Sequence, residues 1–249
     1  MISSLRLQSR HCGAWASSAH LPRGTTRLSS SSSTSIGAAL SGNPPAASGA
    51  VPNHHDLPSF LAYASRVGLP PASSTYIGTL YEYTVLSSLK RLGFSLSRVG
   101  GRADAGIDLV GEWKLPFIPQ SPLKVLVQCK SHKRSPGPSL VRELEGAFAG
   151  APAGWRGDGV LGVLAATREA TRGVRDALGR SRLPLCFLKV SPEGRVEQCL
   201  WNSVCEREGL EGVGATVRYS PGGEDGEENV GREIVLTWKG KVVESTDMR

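Results

Sequence analysis

Asp108, Gln128 and Lys130 are the residues of this chain least suited to their surroundings. Asp108 lies between Ile107 and Leu109, and Gln128 and Lys130 close the run Leu123-Lys124-Val125-Leu126-Val127-Gln128-Cys129-Lys130. Such runs are apolar and β-prone, and a charge set into one costs several kcal/mol unless a partner or a metal compensates it. The chemistry these residue types could carry is hydrolysis assisted by a hard divalent cation, Mg²⁺ or Mn²⁺, which takes oxygen ligands and keeps several waters. Asp108, the side-chain carbonyl of Gln128 and the backbone carbonyl of Cys129 would supply such oxygens, with the helix-borne Glu82 close by or one water away. Lys130 would orient or deprotonate the attacking water and offset charge developing on a phosphorane-like transition state.

The elements that must position these groups are legible from periodicity. Ile77, Tyr81, Val85, Leu89 and Leu92 recur every three or four residues, so a helix is expected from Thr75 to Leu92, stopped by Gly93. Glu82 falls at the edge of that apolar stripe. It either points at something positive in the site or is a rim glutamate paired with a lysine or arginine. Strands are expected at Phe94 to Val99, Ile107 to Trp113 and Leu123 to Lys130, the last two joined by a long, proline-containing connection. Their antiparallel pairing would set Asp108 beside Gln128 and Lys130, which share a face because side chains two apart on a strand do.

Further on, a helix opening at Pro136 to Ser139 carries Leu140, Leu144, Ala147 and Phe148 on one face. A buried strand at Val160 to Ala166, a helix at Glu169 to Leu178 and a strand at Leu185 to Val190 follow, an α/β pattern with some parallel pairing. Arg195 to Trp201 reads as a strand and Ser203 to Gly209 as a helical turn. Ala215 to Tyr219 and Glu233 to Trp238, joined by an acidic, Gly-rich loop, read as a hairpin appendage. The expected division is a leader and linker over residues 1–50, a catalytic domain over 54–195 and a β-rich extension over 196–249.

The leader reading rests on composition. Residues 1–55 hold four arginines (Arg6, Arg10, Arg23, Arg27) and no acidic residue, with abundant Ser and Ala. That is the make-up of a mitochondrial transit peptide, the alternative being a low-complexity tail with no targeting role. Removing those four charges from the net +7 leaves 7 − 4 = +3, too little to establish nucleic-acid binding by itself. No apolar stretch is long enough to span a bilayer. Five scattered cysteines (Cys12, Cys129, Cys186, Cys199, Cys205) argue against a zinc ribbon or a disulfide framework and for reduced thiols. With His132 the one histidine beyond His55, two-histidine metal sites and Ser-His-Asp catalysis are disfavoured. Arg102, Lys133, Arg134, Arg168 and Arg172 are the candidate phosphate contacts, a role of positioning and not of sequence reading. A solvated face explains the helical arginines equally well. Asp104 is read as an extra carboxylate or a turn residue.

Gly78-x-x-x-Glu82, Gly106-Ile107-Asp108-Leu109 and Val127-Gln128-Cys129-Lys130, followed by Val141-Arg142-Glu143-Leu144-Glu145-Gly146-Ala147, resemble the Mrr-type branch of the restriction-endonuclease-like superfamily. The likeness covers about residues 74 to 190. More narrowly, Gly111-x-Trp113-x-Leu115-Pro116, Arg142-Glu143-Leu144-Glu145-Gly146 and Gln198-x-x-Trp201-Asn202 resemble the fungal required-for-respiratory-growth protein number seven family, which is mitochondrial. The resemblance implies a restriction-endonuclease-like α/β fold, with a mixed central sheet flanked by helices and a C-terminal β-hairpin appendage. It makes Asp108 the metal aspartate, Gln128 the substituted acidic position, Lys130 the catalytic lysine and Glu82 the helix carboxylate. An Mg²⁺- or Mn²⁺-dependent nuclease in the mitochondrial matrix is expected, with mitochondrial DNA ahead of RNA as partner and the oligomeric state open. The alternative is a catalytically inactive nucleic-acid-binding or scaffold protein of the same fold.

Overall fold

The computed structural model describes residues 53–99, 106–157, 159–220 and 231–243. The leader, Arg102, Asp104 and the acidic loop after Ser220 lie outside the described residues. Two helices come first, α1 (Leu57–Arg66) and α2 (Ser74–Lys90). Asp56 caps α1 through the Ser59 N–H at 2.8 Å, and the Ser59 hydroxyl returns the contact to the Asp56 N–H, a reciprocal capping box. Ser73 caps α2 through the Tyr76 N–H. Phe60 and Ala64 of α1 pack against Tyr83 of α2.

The central sheet follows. β1 (Phe94–Arg98), β2 (Leu109–Trp113) and β3 (Leu123–Lys130) form an antiparallel meander. α3 (Pro138–Gly150) then crosses over to β4 (Val160–Ala166), which lies parallel to β3. α4 (Arg172–Arg180) crosses over to β5 (Leu185–Val190), parallel to β4, and β6 (Val196–Trp201) closes the far edge antiparallel. The spatial order is β1-β2-β3-β4-β5-β6. β4 is buried at every position, as expected of a parallel strand covered on both faces. The boundary expected at residue 195 therefore falls just before the sixth strand of this sheet.

Alternation along β3 sorts the two faces. Val125 and Val127 join Tyr81, Val85 and Leu89 of α2, whereas Leu126 packs with Ala147 of α3. α4 covers the same face as α3 farther along, through Val174 and Leu178 against Phe187.

Beyond β6, a single helical turn, α5 (Ser203–Cys205), runs on through Glu206–Leu210, where the helix is kinked and broken at Gly209 (φ 140°). β7 (Val213–Ser220), β8 (Gly231–Trp238) and β9 (Lys241–Val242) then make a second sheet in that order. This corrects the expected hairpin appendage in two ways. The element has three strands, because Lys239 (φ 47°) and Gly240 (φ 84°) form a tight turn with both residues left-handed that returns the chain as β9. Nor is it appended: Val213, Ile234 and Leu236 enter the α2-side core, and Trp238 meets Phe117 at 5.4 Å between ring centres.

One close approach holds β1 on β2. A Cβ placed on Gly111 would lie 2.1 Å from the Ser95 carbonyl oxygen, a backbone atom with no room to yield. Gly111→Ala should therefore lower unfolding stability by about 3 kcal/mol, read as a lower midpoint in urea denaturation. An unchanged midpoint would contradict this register.

Candidate functional site

Asp108 is fastened at three points. Its N–H donates to the Val127 carbonyl at 2.9 Å, its carbonyl accepts from the Val99 N–H at 2.9 Å, and its carboxylate Oδ2 accepts from the Cys129 N–H at 2.6 Å. β2 begins one residue later, at Leu109. The pleat is broken here, since Ile107 and Val110, three apart, belong to one core cluster while Leu109 belongs to another. The carboxylate thus occupies the place where β2 would have continued alongside β3, and completes the hydrogen bond that a strand carbonyl would have made. The N–H and C=O of a strand residue leave on the same side. The Cys129 carbonyl therefore points to the same edge as the Asp108 carboxylate.

Gln128 and Lys130 do not reach toward Asp108 as the regular-strand expectation had it. Both turn onto α3, where Glu143 Oε1 accepts from Gln128 Nε2 at 2.9 Å and from Lys130 Nζ at 2.5 Å. The reason is the broken pleat: Asp108 lies along the edge of β3, while Gln128 and Lys130 stand on the α3 face with Leu126. Gly106 (φ 81°) passes so near that a Cβ there would lie 3.0 Å from Gln128 Nε2. Glu82 is engaged by Arg98 at the end of β1, with both side chains largely buried, which matches the paired-glutamate alternative. Arg98 also lies over the Tyr83 ring, 5.9 Å from its centre.

These charges nevertheless gather around one point. Burial first, then the carboxylates of Asp108 and Glu82, push the Cys129 thiol well above its usual pKa, while Lys130 and Arg98 pull the other way. Asp108, Glu82, Lys130 and Arg98 all act on this one sulfur.

Among the described residues no three His, Cys, Asp or Glu side chains come together as a metal cluster. The oxygen donors at this edge are instead the Asp108 carboxylate and the Cys129 carbonyl, with Gln128 Oε1 next in sequence on the α3 face. That last atom is buried without a hydrogen-bond partner, the one such side-chain nitrogen or oxygen among the described residues. An orphaned buried oxygen on the residue next to Cys129 fits a hard cation or its water.

The candidate phosphate contacts other than Arg102 fall at the same end of the sheet. Thr167 Oγ1 donates to the His132 carbonyl at 3.0 Å and Thr171 Oγ1 to the Pro136 carbonyl at 2.9 Å, tying the loops after β3 and β4 together. Lys133, Arg134 and Arg168 stand exposed on those loops. Arg172 is fully out in solvent and 3.9 Å from Asp176, a surface pair of little energetic weight.

Three residues that composition did not single out belong to this end. Glu143 had a legible signal: it lies three after Leu140 and four before Ala147, on the apolar side of α3. Arg98 ends a strand and had no signal beyond its charge. Lys189 aligns through Ala166 with Lys130 across β3, β4 and β5, so the two lysines stand two interstrand steps apart, about 10 Å. Lys189 pairs with Glu197 at 2.7 Å and Glu169 at 3.4 Å. The four described cysteines are free, and Cys205 lies nearest Cys186, Sγ to Sγ 3.6 Å.

The architecture defines an α/β protein with a six-stranded mixed sheet, a three-stranded C-terminal sheet and a charged cluster where β2 parts from β3. The family model for required for respiratory growth protein 7 matches residues 73–121 and 117–219, and the chain belongs to that family. A mitochondrial protein of Schizosaccharomyces pombe, itself uncharacterised, is 39% identical over 153 residues, spanning 60% of either chain. The Saccharomyces cerevisiae protein named required for respiratory growth protein 7, mitochondrial, is 25% identical over 174 residues, which is 53% of this chain and 72% of that one. The protein of the same name from Eremothecium gossypii is 31% identical over 156 residues, 47% of this chain and 65% of that one. No solved structure matches.

Asp108 therefore has a structural duty that is separable from its charge. Asp108→Ala leaves the Cys129 N–H without its acceptor and should cost about 1–3 kcal/mol of stability, whereas Asp108→Asn keeps an oxygen there and should cost less. Thermal unfolding of the two variants checks this; equal losses would mean the hydrogen bond carries no weight.

Proposed function

We propose that this chain is a metal-dependent phosphodiesterase of the restriction-endonuclease-like fold. It acts on nucleic acid in the mitochondrial matrix, on DNA ahead of RNA, and serves genome maintenance and respiratory growth. The observation that carries the reading is the Asp108 carboxylate on the Cys129 N–H, with Lys130 one residue further along the same strand. A mixed central sheet flanked by helices is the architecture that the resemblance leads one to expect, and the six-stranded sheet is consistent with it. The names of the relatives support the mitochondrial and respiratory part.

The residues divide the work as follows. Asp108, the Cys129 carbonyl and Gln128 Oε1 would hold Mg²⁺ or Mn²⁺. The bound ion would lower the pKa of a coordinated water and neutralise charge on the phosphate. Lys130 orients that water and stabilises negative charge as it develops on the phosphoryl oxygens. Arg98 holds Glu82 toward the same end, in place to receive a hydrogen bond from the water shell. Lys133, Arg134 and Arg168 position the backbone on either side without reading its bases.

A second reading has its own support. Lys130 is already paired with Glu143, and Glu82 with Arg98, so two of the three expected catalytic charges are satisfied internally. A catalytically silent protein that binds nucleic acid at the same basic loops is the alternative. Incubation with DNA and RNA in Mg²⁺ or Mn²⁺ separates the two. The enzyme reading expects metal-dependent cleavage that falls at least about 100-fold in Asp108→Asn and Lys130→Met. Cleavage equal in the variants would mark a contaminant, and binding without cleavage would establish the silent form.

A further inference from the structure

The Gln128 amide has two chemically distinct ends, and only one can meet Glu143. An ionised carboxylate accepts hydrogen bonds and donates none, so Nε2 faces Glu143 and Oε1 faces away from it. That oxygen is the orphan noted above, in a residue 1% exposed. An amide free to rotate would hide its oxygen against a donor and leave no such orphan. Here the Glu143 carboxylate holds the nitrogen end. The Glu143 oxygen that holds Nε2 is itself held by the Lys130 ammonium at 2.5 Å, so the acceptor that fixes the nitrogen end is fixed in turn.

We propose that Glu143 is a positioning residue that holds the Gln128 amide with its oxygen turned away from α3, so that a neutral side chain at an acidic position serves as an oxygen ligand. The inference rests on reading this sheet end as a cation site. Without the lock, an amide at position 128 offers a hard cation either an oxygen or a repelling NH₂ group. A glutamine at position 143 could both donate and accept, and would permit either orientation. A carboxylate at position 128 would have no nitrogen end and would need no lock.

This logic sets the test, a titration of the full chain with Mn²⁺ followed by the paramagnetic resonance of the free ion. The proteins compared are the wild type, Asp108→Asn, Glu143→Gln, Gln128→Glu and the double variant Gln128→Glu/Glu143→Gln. Glu143 is 47% exposed, so its replacement should leave the fold intact, which melting temperatures verify. Glu143→Gln should weaken Mn²⁺ binding about tenfold in the wild-type background and not at all in the Gln128→Glu background. A general loss of negative charge, or a merely structural role, would weaken binding in both, and that result overturns the proposal. So does a Glu143→Gln variant that binds like wild type while Asp108→Asn has lost the ion. Binding that Asp108→Asn leaves unchanged would instead sink the cation reading, and this inference with it.

Discussion

The hydrogen bond from the Cys129 N–H to the Asp108 carboxylate is the contact on which the site depends. A strand pair that simply continued would have satisfied that N–H with a backbone carbonyl and left no space at the edge of β3. Starting β2 one residue late, at Leu109, and placing a carboxylate before it satisfies the donor and frees the edge together. The 2.6 Å separation is that of a charge-assisted bond, and the Val99 and Val127 backbone contacts hold the residue that makes it. A carboxylate so placed faces the Cys129 carbonyl side by strand geometry alone. The clustering of these oxygens is in this sense a consequence of how the sheet ends.

Charge balance shapes the rest. Each cation near the carboxyl end of β3 has an acidic neighbour supplied by another element: Glu143 from α3 for Lys130, Glu82 from α2 for Arg98, and Glu169 and Glu197 for Lys189. The Arg98–Glu82 and Lys189–Glu197 pairs are little exposed on both sides and hold a desolvated charge that one partner alone could not, whereas Glu143 and Glu169 reach their lysines from the surface. The elements that cover the sheet are thus also the elements that make its charged end tolerable. The cationic residues carrying no such role, Lys133, Arg134 and Arg168, lie outward on the loops, where a polyanion can reach them.

Much of this was legible in the residues. The apolar period of α2, the three strands and the α/β alternation after Pro136 follow from spacing, and the elements lie within a few residues of where spacing sets them. Asp108 stood out because an acid between Ile107 and Leu109 is a local contradiction, and the structure meets it with a broken strand. What spacing could not convey is direction at that break. Period-two reasoning assumes a regular pleat, and one irregular residue was enough to turn Gln128 and Lys130 from Asp108 to Glu143. The C-terminal sheet was underrated for a different reason. Val213, Ile234 and Leu236 alternate inward as core strands do, but each segment is short and the acidic loop between them reads as an exposed excursion. Residues 1–50 were read by composition, and Arg102 by charge, and both lie outside the described residues.

The central claim is that the edge left open between β2 and β3 takes a divalent cation. Anomalous diffraction from crystals of the protein soaked in Mn²⁺ measures this directly. The account predicts a peak about 2.2 Å from an Asp108 carboxylate oxygen, shared with the Cys129 carbonyl. A peak located only elsewhere on the molecule, or none in crystals that bind Mn²⁺ in solution, would contradict it.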